Sequence, residues 1–568
     1  MSDETSAVSF GLAKSRTVVP IRPVGVTKDS LTTALVALAL LSLTIASQIR
    51  AGAYGAEFID DDASHLLTGL LARDFLAGGW RHGPLAFLKI FAAHYPGIGI
   101  GHWPPFFYVI EGVWMLLFSA SRTSALVLSA LLVSITGVIS YVVSAKWLGR
   151  SAGVFVALMF VASPIVRTSS AGLMMDVATG LFCVLAMLSF VRYLDTGRPR
   201  FSVLFSLWAA VALLTKGNAG CLALFPPLIL VLGRRFDLLR APAFWAPVPI
   251  VALLVGPWYL GTYGMVAAGF EFQWGWHYVG KALAGNGRYL LDGVGPLATA
   301  FGLAGLLAAS WRPMLRGESH LPVCAAAMVL SVWIFQCVVP SGIQDRYLIP
   351  LLPPFLMLAG WALLGVADFV LRLGGAGLSA RRAMPALGLL AIAIPVLVLA
   401  PDPMAKPRNG LTAAAREAWS HVTVRNPSVL VAAQGLAEPA GIAELALRDP
   451  ARPSLFAVRG SRLLGAGGFQ DYEPRYGSAA AAMAAIDEYA IPLVILRTDG
   501  APGEWAHLRQ IEDAIALFPE RWELLWRDDT VRPIVSLYRV QGNERRAADL
   551  SKLVALSGPR AMAGYDSP

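Results

Sequence analysis

The stretch "FIDDDASHLL", Phe58 to Leu67, decides how the chain is read. Asp60, Asp61 and Asp62 stand together just after an apolar run at 31–49, and Leu66, Leu67, Leu70, Leu71 and Phe75 then recur at helical spacing. Adjacent like charges repel, so at least one carboxyl has a raised pKa unless cations neutralise the group. A carboxylate tuned in this way at a membrane surface can act as a general base. A solvated loop or a helix cap is the plainer reading, because Asp favours helix starts. The choice turns on which positive charge lies opposite.

The surrounding composition points to a membrane. The chain has 568 residues, of which 56% are hydrophobic and only 15% charged, where a soluble protein carries about 25% charged residues. Apolar runs recur at 31–49, 103–120, 124–146, 151–165, 174–192, 201–215, 218–233, 242–262, 293–311, 321–340, 347–371 and 384–400. Runs of this length are membrane-spanning candidates. The formal charge of +9 comes from short basic clusters between these runs, so it reads as cytoplasmic loops and no nucleic-acid partner is expected. Cys183, Cys221, Cys324 and Cys337 all lie in apolar runs without metal-ligand spacing and read as core residues. The first apolar run follows a polar tail and lacks a cleavage pattern, so it is expected to stay as an anchor.

Charge alternation sets the topology. The run 103–120 begins "WPPFF" and carries Glu111 in mid-segment, both awkward for a span. If it lies in the interface instead, the clusters Lys14/Arg16/Arg22/Lys28, Lys146/Arg150, Arg192/Arg198/Arg200, Arg234/Arg235/Arg240, Arg312/Arg316 and Arg372/Arg381/Arg382 share one side, the cytoplasm. The expected protein is mainly α and polytopic, with about 11 transmembrane helices. A polar cytoplasmic tail covers 1–30, a membrane domain 31–400 with an outer loop 50–123, and an extracytoplasmic α/β domain 401–568. In the last, "SVLVAA" (428–433), "IPLVILR" (491–497) and "PIVSLYRV" (533–540) read as strands. Residues 480–490 and 507–518 read as helices, and "GAGGFQD" (465–471) as a loop. The outer loop is expected to hold amphipathic helices, the second marked by Leu85, Leu88, Phe91 and Ala92.

The outer side collects the residues that could do chemistry. Lys216 in "LLTKGNAG" interrupts two apolar runs and could merely snorkel. Arg346 in "QDRYLIPLLPP" opens a span; it can grip a phosphate through two parallel hydrogen bonds or simply pair with Asp345. Together these cations suggest an anionic lipid headgroup. Asp176 opens a span and serves either as a cap or in the site. His102 and His277 fit satisfied interfacial residues as well as substrate contacts. Trp274, Trp276 and Tyr278 fit an aromatic belt or a platform for a sugar ring.

The order of these pieces resembles the GT-C glycosyltransferases, specifically the group with the lipid A aminoarabinose transferases, the protein O-mannosyltransferases and the rhizobial Rgt-type enzymes. The most specific segments are "DDASHLLTGLLARDFLAGG", "PPFFYVIEGVWMLLF" and "DRYLIPLLPPFLMLAG", and the likeness covers roughly 30–400. It implies that Asp61 and Asp62 form the family's acidic pair, that Asp176 matches a second functional Asp, and that Lys216, Arg346 and Tyr347 bind the donor phosphate. Where members often carry Lys before the Pro pair, this chain has His102 and Trp103. The resemblance further implies an integral protein of the bacterial inner membrane, N-terminus cytoplasmic and C-terminal domain periplasmic. The donor would be a polyprenyl-phosphate sugar and the acceptor a hydroxyl of a glycan, lipid or protein. Asp61 would be the base, with inversion at the anomeric carbon; Asp60, His102, His277 and Trp276 are candidate substrate contacts. No cofactor is expected, although three aspartates could hold a divalent metal. A transporter or flippase of an anionic lipid-linked substrate is the alternative; it would need paired broken helices, and "TKGNAG" has no partner in the other half.

Overall fold

The computed structural model describes residues 28–59, 61–267, 270, 272–311, 319–374, 386–394, 406–466 and 472–556. Asp60, most of the N-terminal tail, most of the glycine-rich 465–471 stretch, and part of the last expected apolar run lie outside these residues.

Among the described residues, six helices are long and apolar enough to cross a membrane: Ser30–Arg50, Arg122–Leu148, Asp176–Thr196, Pro242–Ala267, Leu321–Val338 and Asp345–Leu373. Two bent pairs bring the number up to eight. In the first, Pro164 starts Pro164–Ser170 at 56° to Arg150–Ala162; in the second, Pro296 starts Pro296–Trp311 at 115° to Trp276–Val294. Proline is tolerated at the first turn but breaks the hydrogen-bond ladder of the helix before it, so the chain turns there. Pro199–Leu213 and Gly217–Leu232 are shorter. At 1.5 Å per residue each rises about 23 Å, less than a hydrocarbon core of about 30 Å. Of the eleven expected spans, eight match these helices and bent pairs, two (201–215 and 218–233) are the shorter helices that flank the Lys216 break, and the last (384–400) lies partly outside the described residues. The chain is an integral membrane protein.

The charge clusters separate along the bundle. At the end of Asp176–Thr196, Asp195 accepts from the His320 backbone N–H at 2.9 Å, and the His320 ring lies 3.0 Å from Arg235 Nη1. At the start of the same helix Asp176 meets Lys216. A helix of 21 residues is about 32 Å long, one hydrocarbon thickness. Arg235 and the Asp176–Lys216 pair therefore sit at opposite ends of this helix, while Lys14, Arg16, Arg22, Arg312, Arg316, Arg381 and Arg382 lie outside the described residues.

The outer loop builds the floor of the site. Asp61–Ala77 is a helix whose Leu66, Leu67, Leu70 and Leu71 are buried, packed against Phe106–Leu117. That second helix has 12 residues, too few to cross. Glu111 on it is fully buried against Gly69, where a Cβ would stand 2.2 Å from the carboxyl carbon. Burial pushes its carboxyl well above the usual range. In Pro84–His94, Phe91 and Ala92 are buried, but Leu85 points outward, so Phe87 rather than Leu85 completes the buried face.

After 406 a mixed sheet forms. Its strands are β1 (Ser428–Ala432), β2 (Phe456–Arg459), β5 (Leu493–Thr498), β6 (Trp522–Asp528) and β7 (Ile534–Val540), while β3 (Gly465–Ala466) and β4 (Glu473–Pro474) form a separate short hairpin. The order is β2-β1-β5-β7-β6, parallel from β2 to β5 and antiparallel beyond. Helices Ala479–Glu488 and Ala506–Leu517 fall within two residues of their expected bounds. β2 and β6 were not legible: β2 is only four residues long, and β6 is an edge strand with a register shift at Leu524/Trp526.

Candidate functional site

Four distant segments deliver one cluster. The Asp61–Ala77 helix opens with Asp61 and Asp62; Asp176 opens its own helix; Lys216 stands extended where Pro199–Leu213 gives way to the 3₁₀ turn Gly217–Ala223. Arg346 and Tyr347 lie in the 3₁₀ helix Asp345–Leu351, whose interior Pro350 precludes a regular α-helical start. The "WPPFF" segment is tied to the Lys216 break by the Phe106 N–H, which donates to the Leu214 carbonyl at 2.9 Å.

Each carboxylate has its cation. Arg346 Nη2 donates to Asp61 Oδ2 at 2.8 Å. Lys216 Nζ donates to both oxygens of Asp176, at 2.7 and 2.8 Å. Arg346 Nε comes within 3.9 Å of Asp176 Oδ2, linking the two pairs, and has no hydrogen-bond partner among the described residues. The Tyr347 ring underlies both cations, with Lys216 Nζ at 4.7 Å and the Arg346 guanidinium carbon at 5.8 Å from its centroid. Asp345 does not take the Arg346 side chain; it accepts the Arg346 backbone N–H at 2.7 Å.

The three aspartates differ in reach. Asp62 is 1% exposed and Asp176 3%, whereas the Asp61 side chain keeps 26% of its surface open. Asp62 accepts the Leu173 N–H at 2.9 Å and Lys406 Nζ at 2.8 Å. Only Asp61 combines an accessible oxygen with a cationic partner. Burial raises its carboxyl, but the charges of His65, Arg346 and Lys216 more than offset this and hold it below the usual range. His65 is itself pushed down to about 4 by burial, so it carries its charge only in the acid range where Asp61 titrates.

His65, one turn beyond Asp61, was not singled out in the sequence. Its Nδ1 lies 2.9 Å from the Tyr108 hydroxyl, and its ring meets Trp103 edge-on at 4.5 Å between centroids. The helical step from Asp61 to His65 was the available signal. His102 packs on Trp103 and faces the Met265 carbonyl at 3.3 Å; burial pulls its pKa down, with Asp61 and Lys216 both within electrostatic range. It lies beside the cluster rather than in it. Trp276 and His277 are exposed at the start of Trp276–Val294, and among the described residues no hydrogen bond or ion pair joins them to the cluster. Their neighbour Tyr278 is buried and donates to the Val339 carbonyl at 2.8 Å, so that helix braces the chain leading to Arg346.

The sequence model of the dolichyl-phosphate-mannose-protein mannosyltransferase family matches residues 102–260. No curated protein matches the chain by sequence. Among solved structures, ArnT from Cupriavidus metallidurans bound to undecaprenyl phosphate is similar with a TM-score of 0.57 and 16% identity, over 91% of this chain and 99% of that one. The Archaeoglobus fulgidus oligosaccharyltransferase AglB, in complex with an inhibitory peptide and a dolichol-phosphate, gives 0.52 and 12%, over 87% and 73%. The arabinofuranosyltransferase AftD from Mycobacteria gives 0.53 and 16%, over 90% and 40%. At these identities the likeness to the solved structures is one of fold. The chain thus shares the fold of these membrane transferases, and its residues 102–260 are similar to the mannosyltransferase family.

Proposed function

We propose that this protein transfers a sugar from a polyprenyl-phosphate donor to an acceptor hydroxyl on the outer side of the membrane, with inversion and with Asp61 as general base. The observation that carries the reading is the linked set Asp61–Arg346–Asp176–Lys216, in which one carboxylate is reachable and one guanidinium nitrogen has a donor to spare. ArnT with its undecaprenyl phosphate and AglB with its dolichol-phosphate support a lipid phosphate as the shared carrier chemistry.

The acceptor O–H gives its proton to Asp61 as its oxygen bonds to the anomeric carbon. The bond from that carbon to the phosphate oxygen breaks on the opposite face, and polyprenyl phosphate leaves with a second negative charge. Fixed cations at Lys216 and Arg346 favour that charge more than the ground state. Asp176 orients both cations from below, and Asp62 shapes the turn that carries it; neither is exposed enough to meet substrate. In this reading protein cations, not a bound metal, take up the developing charge.

Native mass spectrometry with undecaprenyl monophosphate tests the phosphate site. The wild type is expected to bind it, and Lys216→Met and Arg346→Gln to weaken binding at least about tenfold, as expected for lost charged hydrogen bonds. Equal binding by all three proteins would remove the phosphate role.

A further inference from the structure

Asp62 is gripped by a residue 344 positions further along the chain. Lys406 belongs to the segment that leads into the mixed sheet. Its backbone N–H donates to the Ala51 carbonyl at 3.0 Å, and its ammonium reaches Asp62 Oδ2 at 2.8 Å. The same segment is held a second time: Glu57 accepts the Asn409 N–H at 2.8 Å and the Thr412 N–H at 3.1 Å, capping the start of Leu411–His421. The other oxygen of Asp62 takes the Leu173 N–H, and a Cβ on Gly172 would stand 2.7 Å from both Asp62 oxygens, so the 172–175 turn wraps this carboxylate closely. From that turn Met174 Sδ faces Arg346 Nη1 at 2.7 Å, and Asp176 follows two residues on. The contacts close a ring: Lys406, Asp62, the turn, Arg346 and Asp61.

We propose that Lys406 is a positioning residue of the transfer site: its ammonium fixes Asp62 and the 172–175 turn, and so sets Arg346 against Asp61. The inference rests on the reading of Asp61 as the base. It makes the segment entering the C-terminal region part of the site, not an appendage. Without Lys406, Asp62 is a carboxylate buried beside Asp61, with the Leu173 amide as its remaining hydrogen-bond partner among the described residues and His65 within electrostatic range. A buried carboxylate without its cation takes up a proton.

Dicyclohexylcarbodiimide, which modifies protonated carboxyls in apolar surroundings, reads this directly in the full-length protein. Labelling of the peptide holding Asp62 is followed by mass spectrometry across pH in wild type, Lys406→Met and Lys406→Arg. Protection is expected in wild type and in the arginine variant. The methionine variant should label about tenfold more near neutral pH, the ratio that one pKa unit gives. Its undecaprenyl monophosphate affinity should fall less than that of Arg346→Gln, since Lys216 and Arg346 keep their charges, while turnover at saturating donor falls about ten- to hundredfold from misplacement. Protection of Asp62 in Lys406→Met, labelling of it in Lys406→Arg as strongly as in Lys406→Met, or unchanged turnover would each overturn the proposal. Failure of the wild type to bind the lipid phosphate would instead strike the transfer reading, and the labelling would still decide the lock.

Discussion

Asp61 and Asp62 are neighbours in sequence with opposite duties, and the division follows from which way each carboxylate points. Asp61 faces a guanidinium and keeps an open edge; Asp62 turns inward and is consumed by a backbone amide and a lysine. The cations holding Asp61 down predict a pH effect. Its folded pKa is depressed, so the ionised, base-competent form persists as pH falls through the ordinary carboxylate range. Arg346→Gln removes part of that hold, and the acid limb of the kcat/KM profile is expected to move to higher pH. His65 has the opposite sign. Its folded pKa, about 4 against an ordinary 6.5, means that stability is lost as pH falls from 6.5 towards 4. His65→Gln should flatten that part of the unfolding curve, by at most about 3 kcal/mol. Asp61, Asp176, Lys216 and Arg346 were legible in the sequence because charges beside apolar runs need a reason. His65, Glu57 and Lys406 were not: they are ordinary loop or helix residues until folding supplies partners, for Glu57 and Lys406 some 350 positions away.

At the level of elements, glycine sets how closely helices approach. Gly305 on Pro296–Trp311 faces the backbone of Leu352–Leu373, where a Cβ would lie 2.3 Å from the Leu358 carbonyl oxygen. Backbone cannot swing aside as a side chain can. Gly305→Ala is expected to cost about 1–3 kcal/mol, seen as a lowered melting temperature in detergent. Apolar periodicity found the long helices, but hydrophobicity alone does not report that the chain breaks at Lys216 or bends at Pro164 and Pro296. The sheet was half legible: β1 and β5 are fully buried runs and β7 is buried at its centre, whereas β2 is four residues long and β6 is an edge strand in which only Trp522 is buried.

Across the whole molecule, four segments that charge counting assigns to one side deliver Asp61, Asp176, Lys216 and Arg346 to the site, while Asp195, Arg235 and His320 meet at the far end of the Asp176–Thr196 helix. All four cysteines are buried, so a cysteine introduced at Arg198 reports its side with little background. It is expected to react with a membrane-impermeant maleimide only after the inner face is opened; labelling of intact cells would invert the orientation. The outer loop and the C-terminal region also behave as one structure. Arg452 reaches Asp74 at 2.7 Å, Arg122 reaches Glu444 at 3.0 Å, and the Tyr95 hydroxyl donates to Asp449. Glu57→Ala leaves two amides uncapped, and loosening of this contact should show as faster tryptic cleavage near Lys406.

The role of Asp61 is tested most directly by sugar transfer in purified protein, with lipid extract from cells fed tritiated sugars as donor source. Asp61→Asn preserves the shape and a hydrogen-bond acceptor but cannot take a proton. Transfer is expected to fall about 10²–10⁴-fold with the melting temperature unchanged. Near-normal transfer by that variant would contradict the assignment of Asp61 as the base.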